Sequence, residues 1–258
     1  MNDETLAKLL DPVKEIAIRA GQAILAVAEE GTDVQEKADG SPLTRADLAS
    51  HRTIDAGLRE LEPKLPVLSE EGDLASAESF TTFWCVDPLD GTKEFVKGLT
   101  EYTVNIAIVE DAKPIFGVIY VPAQDLLYFA ARGQGAWRTA GGKTERIAAS
   151  DREAPKSAVA SRSHLSEETQ EFLKRLGVTE TVQHGSSIKI CAVAEGKADI
   201  YPRHGPTCLW DTAAGAAIAI EAGCEVIDLE GAPLSYDPAA GIKRPGFIVH
   251  PAGMDLPL

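Results

Sequence analysis

The alternation of apolar residues that begins at Phe83 constrains the fold more than any other feature of this sequence. In the segment EYTVNIAIVE, Tyr102, Val104, Ile106 and Ile108 recur at every second residue, which is the period of a β-strand. The segments PIFGVIYVP, LLYFAA and GQGAWR follow, with turn residues between them. Because consecutive strands joined by short turns pair with one another, we predict an antiparallel meander here.

The residues before this meander follow the helical period instead. A helix is predicted over residues 3–29, and Pro12 either kinks it or starts a second helix. The polar segment GTDVQEKADGSPLTRAD is predicted to be a loop or a short hairpin, and a second helix is predicted near 44–61 with Thr44 as its N-cap. The residues that define the first helix are Leu6, Leu9, Val13, Ile16, Ala20 and Ile24.

The last part of the chain alternates strands with helices. After a polar, glycine-bearing bridge at 140–155, the strand-like segments SAVAS, TVQH, ADIYP and CEVIDL are separated by helix-like segments. This order predicts an α/β unit with a mostly parallel sheet. We therefore predict two domains: 1–150, with the N-terminal helices and the antiparallel sheet, and 151–258, an α/β domain.

Composition excludes several classes of protein. The chain has 258 residues with 40 acidic and 25 basic side chains, a formal charge of −15. This charge argues against a nucleic-acid partner or an anionic membrane surface, and it means that an anionic ligand needs cations to be held. No apolar run is long enough to span a membrane, and the N-terminus lacks a signal-peptide pattern. Four scattered cysteines, of which Cys85 and Cys191 are assigned to the core, indicate reduced thiols. We expect a cytoplasmic protein, with peripheral association at the inner membrane left open.

Carboxylates stand where an apolar segment ends at three separate places. Glu70 and Glu71 follow the apolar stretch of PVLSEEG, and Asp211 lies in CLWDTAAG at the start of an alanine-rich helix. In WCVDPLDGTKEF, Asp87 and Asp90 flank Pro-Leu directly after an apolar run. Because active sites of α/β proteins gather at such strand and helix ends, these residues are site candidates.

The turn in VDPLDGT suits a hard metal ion. Pro88 fixes its own φ angle, and the turn can bring both aspartates and the Leu89 carbonyl to one side. Oxygen donors of this kind suit Mg²⁺ or Mn²⁺. Gly91 and Thr92 then begin a helix whose free N–H groups favour an anion. Metal carboxylates beside such amides indicate a phosphate ester site.

Each of these features also has a purely structural interpretation. DPLDG is a common turn pattern, in which Asp87 caps the turn and Asp90 tightens it with the following glycine. Asp211 alone is typical of a helix N-cap, and the pair of glutamates is typical of a solvated loop. The whole set, with each member preceded by an apolar strand or an aromatic residue, favours the functional interpretation.

Three segments carry a family resemblance: SEEG, WCVDPLDGTKEF and GSSIKICAVAEGKADIYPRHGPTCLWDTAAGAAIAIEAG. They resemble the inositol monophosphatase superfamily of Mg²⁺-dependent, Li⁺-sensitive phosphatases, whose D-P-[LI]-D-G-[ST] motif and later W-D helix start are both intact. The resemblance runs from AIRAGQAIL to KRPGFIVH, and it implies a layered α/β/α/β/α sandwich. Lys93-Glu94-Phe95 after DGT resembles the 3′(2′),5′-bisphosphate nucleotidase branch, because inositol monophosphatases usually carry Thr-Asn there.

The resemblance implies a two-metal centre. Glu70, Asp87 and the Leu89 carbonyl would hold the first Mg²⁺, and Asp87, Asp90 and Asp211 would hold the second. In the family the first ion activates a water molecule and the second supports the leaving oxygen. The resemblance also implies that Mn²⁺ can substitute and that Li⁺ and Ca²⁺ inhibit, while the number of ions, two or three, stays open.

Asp47 has two interpretations. Its spacing from Thr44 in TRAD fits a capping box. In the nucleotidase branch, an aspartate at this place pairs with the threonine of DGT to orient and deprotonate the water. The resemblance therefore implies Asp47 and Thr92 as a water-activating pair, with Glu70 as the third catalytic candidate.

The segments ASRSH and GSSIK resemble the nucleotide-contact segments of the same branch. A second phosphate needs a basic or hydroxyl lining away from the metals, which Lys189 and Arg203 can provide. Two structural alternatives stay open: a helix-capping His164 and a solvated Lys93. The candidate substrate-binding residues are Gly91, Thr92, Lys93, Ser161, His164, Ser186, Lys189, Arg203 and Asp211. We assign no ligand role to the remaining histidines, His51, His184, His204 and His250, and expect them at the surface or in loops.

The resemblance implies hydrolysis of adenosine 3′,5′-bisphosphate to AMP and phosphate, with action also on its 5′-phosphosulfate relative. This reaction would clear the by-product of sulfate activation. Inositol monophosphate, fructose 1,6-bisphosphate and NADP(H) are rival substrates. A non-catalytic, metal-dependent nucleotide sensor is the alternative from another class. Monomer and homodimer both remain open.

Overall fold

The computed structural model of the chain describes residues 1–31, 34–36, 42–161 and 166–257. The helices in these residues, α1 to α6 in chain order, are Asp3–Glu30, Arg45–Glu60, Thr92–Val96, Glu167–Arg175, Ile188–Ala194 and Leu209–Glu221. The strands, β1 to β16, are Val34–Glu36, Pro42–Thr44, Val67–Ser69, Thr82–Asp90, Thr103–Glu110, Lys113–Val121, Leu126–Ala131, Gly135–Ala140, Lys143–Ile147, Ser157–Ser161, Glu180–His184, Tyr201–Arg203, Thr207–Cys208, Cys224–Ile227, Lys243–Arg244 and Phe247–Pro251. Of the described helices, none combines the length and the apolar character that crossing a bilayer requires.

The largest sheet has the strand order β3-β4-β5-β6-β7-β8-β9. Strands β4 to β9 pair antiparallel in chain order, which confirms the predicted meander, and β3 adds to β4 in parallel. The prediction that residues 140–155 form only a polar bridge is wrong, because β9 occupies part of them. This edge strand is polar and largely exposed, so it lacks the apolar alternation that identifies an inner strand.

Helices cover both faces of this sheet. On one face α1 and α2 pack against residues such as Trp84, Ile106 and Phe116. On the other face α6, with α5 beside it, packs against β4 to β8. Helix α1 continues without a break through Pro12, so a second helix does not start there; its buried apolar face extends on both sides of the proline. The predicted hairpin is present as the antiparallel pair β1–β2.

The second half of the chain forms a smaller, mixed set of strands. Strand β10 pairs parallel with β11, and Ala158 bridges Ile200 in parallel. Strand β16, however, pairs antiparallel with both β12 and β14, so the predicted mostly parallel sheet is wrong. The chain returns from β14 to β16 without a helical crossover, and only a crossover lets neighbouring strands run parallel.

Helix α4 closes the outer side of these strands. Its Phe172 and Leu173 form a buried cluster with Ala158, Ile200 and Ile248. The structure therefore has five layers. The first is α1 with α2, the second is the large sheet, the third is α5 with α6, the fourth is the set of smaller strands, and the fifth is α4. This order is the predicted α/β/α/β/α sandwich. The division into domains at residue 150 stays a prediction.

Gly117 fixes the distance between α6 and the large sheet. It lies on β6, and a Cβ atom added there would lie 2.3 Å from the Ala214 carbonyl oxygen and 3.0 Å from the Ala214 Cα of α6. Both atoms belong to a helix backbone, so no side-chain rotation can relieve the overlap. Helix α6 reaches its place because β6 has no side chain at this point.

We expect Gly117→Ala to destabilise the protein by about 3 kcal/mol, because the added methyl group pushes α6 away from the sheet. Urea unfolding measures this loss. The matched control is Gly205→Ala, since a Cβ at Gly205 meets nothing within 4 Å. A Gly117→Ala protein as stable as the control variant would contradict the close approach of α6.

Candidate active site

The end of β4 is irregular where its two aspartates lie. Asp87 pairs with Asn105 and Asp90 pairs with Thr103, so three steps on β4 oppose two on β5. Such a bulge bends the strand and frees a stretch of backbone from the ladder. The bend is held by the Leu89 N–H, which donates to Asp87 Oδ1 at 3.0 Å, and by the Ser50 hydroxyl of α2, which donates to the Pro88 carbonyl at 2.6 Å.

Two further carboxylates reach this turn from other elements. Glu70 follows β3, and its N–H donates to the Val86 carbonyl at 3.2 Å, next to Asp87. Asp211 lies in the first turn of α6. The structural interpretation of Asp211 as the N-cap is wrong, because Cys208 is the N-cap of this helix. Asp211 Oδ2 accepts from the Cys208 N–H and the Thr207 hydroxyl. We call these four side chains the carboxylate cluster: Glu70, Asp87, Asp90 and Asp211.

The carboxylate cluster is an electrostatically unfavourable assembly by itself. Burial raises the pKa of Asp87 well above its ordinary value, and the charges of Glu70, Asp90 and Asp211 raise it further. Burial and then the charge of Asp90 also raise the pKa of Asp211, although donors at Cys208 and Thr207 oppose the shift. Carboxylates that repel one another at a buried position need a cation among them to stay ionised.

The donor set of the carboxylate cluster fits a hard divalent cation. Its members supply only oxygen atoms, and the Leu89 carbonyl lies in the same turn, which suits Mg²⁺ better than softer metals. No group of three or more His, Cys, Asp or Glu side chains in the described part of the chain is already arranged as a metal cage. The assignment of Glu70, Asp87, Leu89, Asp90 and Asp211 as metal ligands stays a prediction.

Asp47 makes the contacts that both of its interpretations require, and its role in water activation stays a prediction. Its Oδ2 accepts from the Thr44 N–H and the Thr44 hydroxyl, each at 2.7 Å, which completes the capping box of α2. Its Oδ1 lies 3.2 Å from Thr92 Oγ1, which is placed to donate to it or to the Leu89 carbonyl, also at 3.2 Å. Asp47 is buried with 2% of its surface exposed. The cap therefore holds the carboxylate in place while its second oxygen faces the turn.

A cleft with groups that suit an anion opens beside the carboxylate cluster. Gly91 has a φ of +89° at the start of α3, and an added Cβ would lie 3.1 Å from the Glu101 carbonyl oxygen. Ser186 has a φ of +47°, and its buried hydroxyl has no hydrogen-bond partner among the described residues. An orphaned buried hydroxyl in a strained backbone is typical of a ligand contact.

Two cationic side chains face the same cleft. Lys189 is buried, and its ammonium donates to the Ser186 carbonyl at 2.7 Å. Burial acts to lower the pKa of Arg203, but Tyr201, Asp211 and Asp90 outweigh it and the pKa is raised, so its guanidinium stays charged. Lys93 also lines the cleft, but it is exposed. The predicted residues Gly91, Lys93, Ser186, Lys189, Arg203 and Asp211 therefore line one cleft.

Some predicted residues lie elsewhere or outside the described part. His164 lies outside the described residues, and Ser161 ends β10, with its side chain outside them as well. The expectation that His250 is a surface or loop residue is wrong, because it lies on β16 with 3% exposure. His184 ends β11 and contacts Glu101 at 2.9 Å.

Two polar residues of the site had no assigned role. Ser187 donates to Asp90 Oδ2 at 2.7 Å and Asn105 donates to Ser187 Oγ at 2.7 Å. The sequence signal for Asn105 is a polar residue within the apolar alternation VNIAI. Ser187 lies in the motif GSSIK next to the predicted Ser186, and no spacing rule distinguishes the two serines.

A sequence profile of the inositol monophosphatase family matches residues 5–248, which is most of the chain. The chain belongs to the inositol monophosphatase family. Within it, the 3′(2′),5′-bisphosphate nucleotidase CysQ of Escherichia coli strain K12 is 48% identical over 246 residues, which cover 93% of this chain and 99% of that protein.

Solved structures of the inositol monophosphatase family agree with the fold. The crystal structure of CysQ from Bacteroides thetaiotaomicron superposes with a TM-score of 0.82 at 44% identity and covers 97% of this chain and 98% of that one. An IMPase of Thermotoga maritima superposes with a TM-score of 0.80 at 26% identity, with 95% and 93% of the two chains covered. The layered fold is thus shared both with a CysQ and with an IMPase.

For this family member we expect Asp87→Asn to raise the melting temperature in EDTA, because the change removes one charge from the buried carboxylate cluster and leaves Oδ1 to accept from Leu89. The same change should reduce the stabilisation that added Mg²⁺ gives. Differential scanning calorimetry with EDTA and with Mg²⁺ measures both effects.

The matched control is Asp73→Asn. Asp73 is exposed, and its Oδ1 accepts from the Ala75 N–H two residues on, as Asp87 Oδ1 does from Leu89, but it is not a member of the cluster. If Asp87→Asn destabilises the metal-free protein while Asp73→Asn leaves it unchanged, repulsion within the carboxylate cluster does not limit the stability of the metal-free protein.

Proposed function

We propose that this chain is a metal-dependent 3′(2′),5′-bisphosphate nucleotidase. Its substrate is adenosine 3′,5′-bisphosphate, which it hydrolyses at the 3′-phosphate to AMP and inorganic phosphate. The observation that carries the proposal is the carboxylate cluster at the end of β4 beside a cleft with cationic and hydroxyl groups, in a chain that is similar to CysQ nucleotidases over 93% of its length.

In this proposal the carboxylate cluster and the Leu89 carbonyl hold Mg²⁺. When bound, Mg²⁺ supplies positive charge to the phosphate and lowers the pKa of a water molecule. The cluster supplies the oxygen ligands for that role, and the charges of its other members act to raise the pKa of the buried Asp87. Asp87, which would contribute to both predicted ion positions, has 1% of its surface exposed.

The chain's own base is the pair Asp47 and Thr92. Thr92 Oγ1 has one proton, and Asp47 Oδ1 is placed to accept it at 3.2 Å. A water molecule can then donate its proton to the threonine oxygen, so the carboxylate draws the proton away from the attacking oxygen through the hydroxyl. The capping box prevents Asp47 from turning away, because Oδ2 is held by two donors from Thr44.

The proposed anion contacts of the cleft explain a preference for a bisphosphate. Gly91 and Thr92 lie at the start of α3, where the backbone N–H groups suit the phosphate that is cleaved. Lys189 and Arg203 line the same cleft, where charge-assisted hydrogen bonds would stabilise a second phosphate. A monophosphate such as inositol 1-phosphate has no group for this second position.

Further properties belong to the same proposal. Two or three Mg²⁺ ions take part, Mn²⁺ can replace them, and Li⁺ and Ca²⁺ inhibit. The reaction also extends to the 5′-phosphosulfate relative and serves sulfate assimilation in the cytoplasm, with peripheral association at the inner membrane as a further property. A homodimer is a separate proposal that gel filtration at several concentrations tests.

We expect phosphate release from adenosine 3′,5′-bisphosphate to exceed release from every other substrate of a panel. The panel contains inositol 1-phosphate, fructose 1,6-bisphosphate, NADP⁺ and 5′-AMP, each with Mg²⁺ and with EDTA. Preference follows from the cationic side of the cleft, and the EDTA arm tests the need for metal. Faster hydrolysis of inositol 1-phosphate overturns the substrate, and tight nucleotide binding without turnover favours a sensor.

Asp47→Asn should lower kcat by about two orders of magnitude or more with a much smaller change in KM, because a neutral amide cannot act as a base toward the proton of Thr92. Steady-state kinetics with adenosine 3′,5′-bisphosphate measures the split. The variant also weakens the cap of α2, so stability is measured alongside activity.

Ser166→Ala is the control for this loss of a helix cap. Ser166 caps α4 by accepting from the Thr169 N–H at 3.2 Å, and it is not among the residues that line the cleft. The Ser166→Ala variant should lose about 1 kcal/mol of stability and keep the wild-type turnover. Asp47 has no role in turnover if Asp47→Asn keeps the wild-type kcat.

A further inference from the structure

Ser187 is the point at which three elements of the site meet. It is the residue before α5 and is buried, with 2% of its surface exposed. Its Oγ lies 2.7 Å from Asp90 Oδ2 at the end of β4 and 3.0 Å from the Asp211 carbonyl in α6. One hydroxyl therefore contacts two segments that supply members of the carboxylate cluster.

Asn105 sets the direction of this network. A serine hydroxyl has one proton, and here the two acceptors at Asp90 and Asp211 compete for it. Because the hydroxyl proton is donated to one of these acceptors, the serine oxygen can only accept a further hydrogen bond, and Asn105 Nδ2 donates it at 2.7 Å. Asn105 is buried on β5 directly opposite Asp87. The order is thus amide to hydroxyl to carboxylate.

The proton of Ser187 favours the carboxylate over the carbonyl. The bond to Asp90 is shorter, and a charged acceptor forms the stronger hydrogen bond. Among the described residues, the hydrogen bond of the Asp90 side chain uses Oδ2, so Ser187 fixes one carboxylate oxygen and leaves Oδ1 for another ligand. A carboxylate held in this way does not have to give up its rotational freedom when a cation binds.

We propose that the pair Asn105 and Ser187 is a positioning relay that holds Asp90 ready for Mg²⁺. The inference rests on the proposed metal site and goes beyond it, because neither residue is assigned as a metal ligand or a substrate contact. Ser187 acts through Asp90, and Asn105 acts through Ser187. The relay joins β4, β5 and the residue before α5 across sequence separations of 82 to 97 residues.

Ser187→Ala should weaken Mg²⁺ binding by about tenfold or more, the usual effect of removing a group that orients a metal ligand. Isothermal titration calorimetry of the purified protein with Mg²⁺, without substrate, measures the affinity. The Mg²⁺ concentration for half-maximal phosphate release should rise in parallel, and saturating Mg²⁺ should restore most of kcat. Ser187→Thr keeps the hydroxyl and should recover the affinity.

Asn105→Leu tests the same relay from β5, without changing the residues directly before α5. It leaves Ser187 in place but removes the donor that fixes its lone pair, so Mg²⁺ affinity should fall here too, by less than in Ser187→Ala. Thermal unfolding without metal shows whether either variant is folded. If Ser187→Ala does not fold, the affinity of Asn105→Leu decides the question.

Ser157→Ala is the matched control. Ser157 is also buried, and its hydroxyl donates to a carboxylate, Asp199 Oδ2, at 2.9 Å, but that pair is not part of the cleft. It should lose stability and keep wild-type Mg²⁺ affinity. Wild-type affinity in the folded Ser187→Ala protein, or an equal loss in Ser157→Ala, overturns the relay. A wild-type protein that binds Mg²⁺ yet prefers another substrate overturns the proposed substrate alone.

Discussion

The mutual repulsion within the carboxylate cluster is the interaction that the rest of the structure has to accommodate. Several kcal/mol is the typical penalty for moving one ionised group out of water, and here four converge at one edge of a sheet. The fold offsets part of this cost with donors: the Leu89 N–H at Asp87, the Ser187 hydroxyl at Asp90, and Thr207 at Asp211. In the proposed metal site a divalent cation would supply the remainder, so metal binding would add directly to local stability.

Helix capping and site chemistry use different oxygens of the same carboxylates. Asp47 and Asp211 both stand at the third position of a helix and give Oδ2 to the residues before it. For Asp47, the cap leaves Oδ1 3.2 Å from Thr92 Oγ1. A capping box can therefore position a carboxylate for a second contact, and the structural and the proposed functional interpretations of Asp47 are compatible.

Much of this fold is readable from periodicity, and the exceptions have physical causes. The meander and α1 follow from alternation and helical spacing, because both elements have one clearly buried face. Periodicity does not predict strand β9, because an exposed edge strand needs no apolar face. It does not predict the direction of β16 either, because that direction depends on how the chain returns to the sheet. The cluster could be named from motifs, whereas Ser187 and Asn105 could not, because their contact joins residues that are 82 positions apart.

The segment from Gly185 to Lys189 connects the two chemical halves of the cleft. In the middle of this segment the Ser187 hydroxyl donates to Asp90. The ammonium of Lys189, at the end of the segment, donates to the Ser186 carbonyl. In a chain with a net charge of −15, an anionic substrate can only be held where such cations are concentrated. Because one short segment carries both contacts, the positions of Asp90, Ser186 and the buried lysine depend on the same piece of backbone.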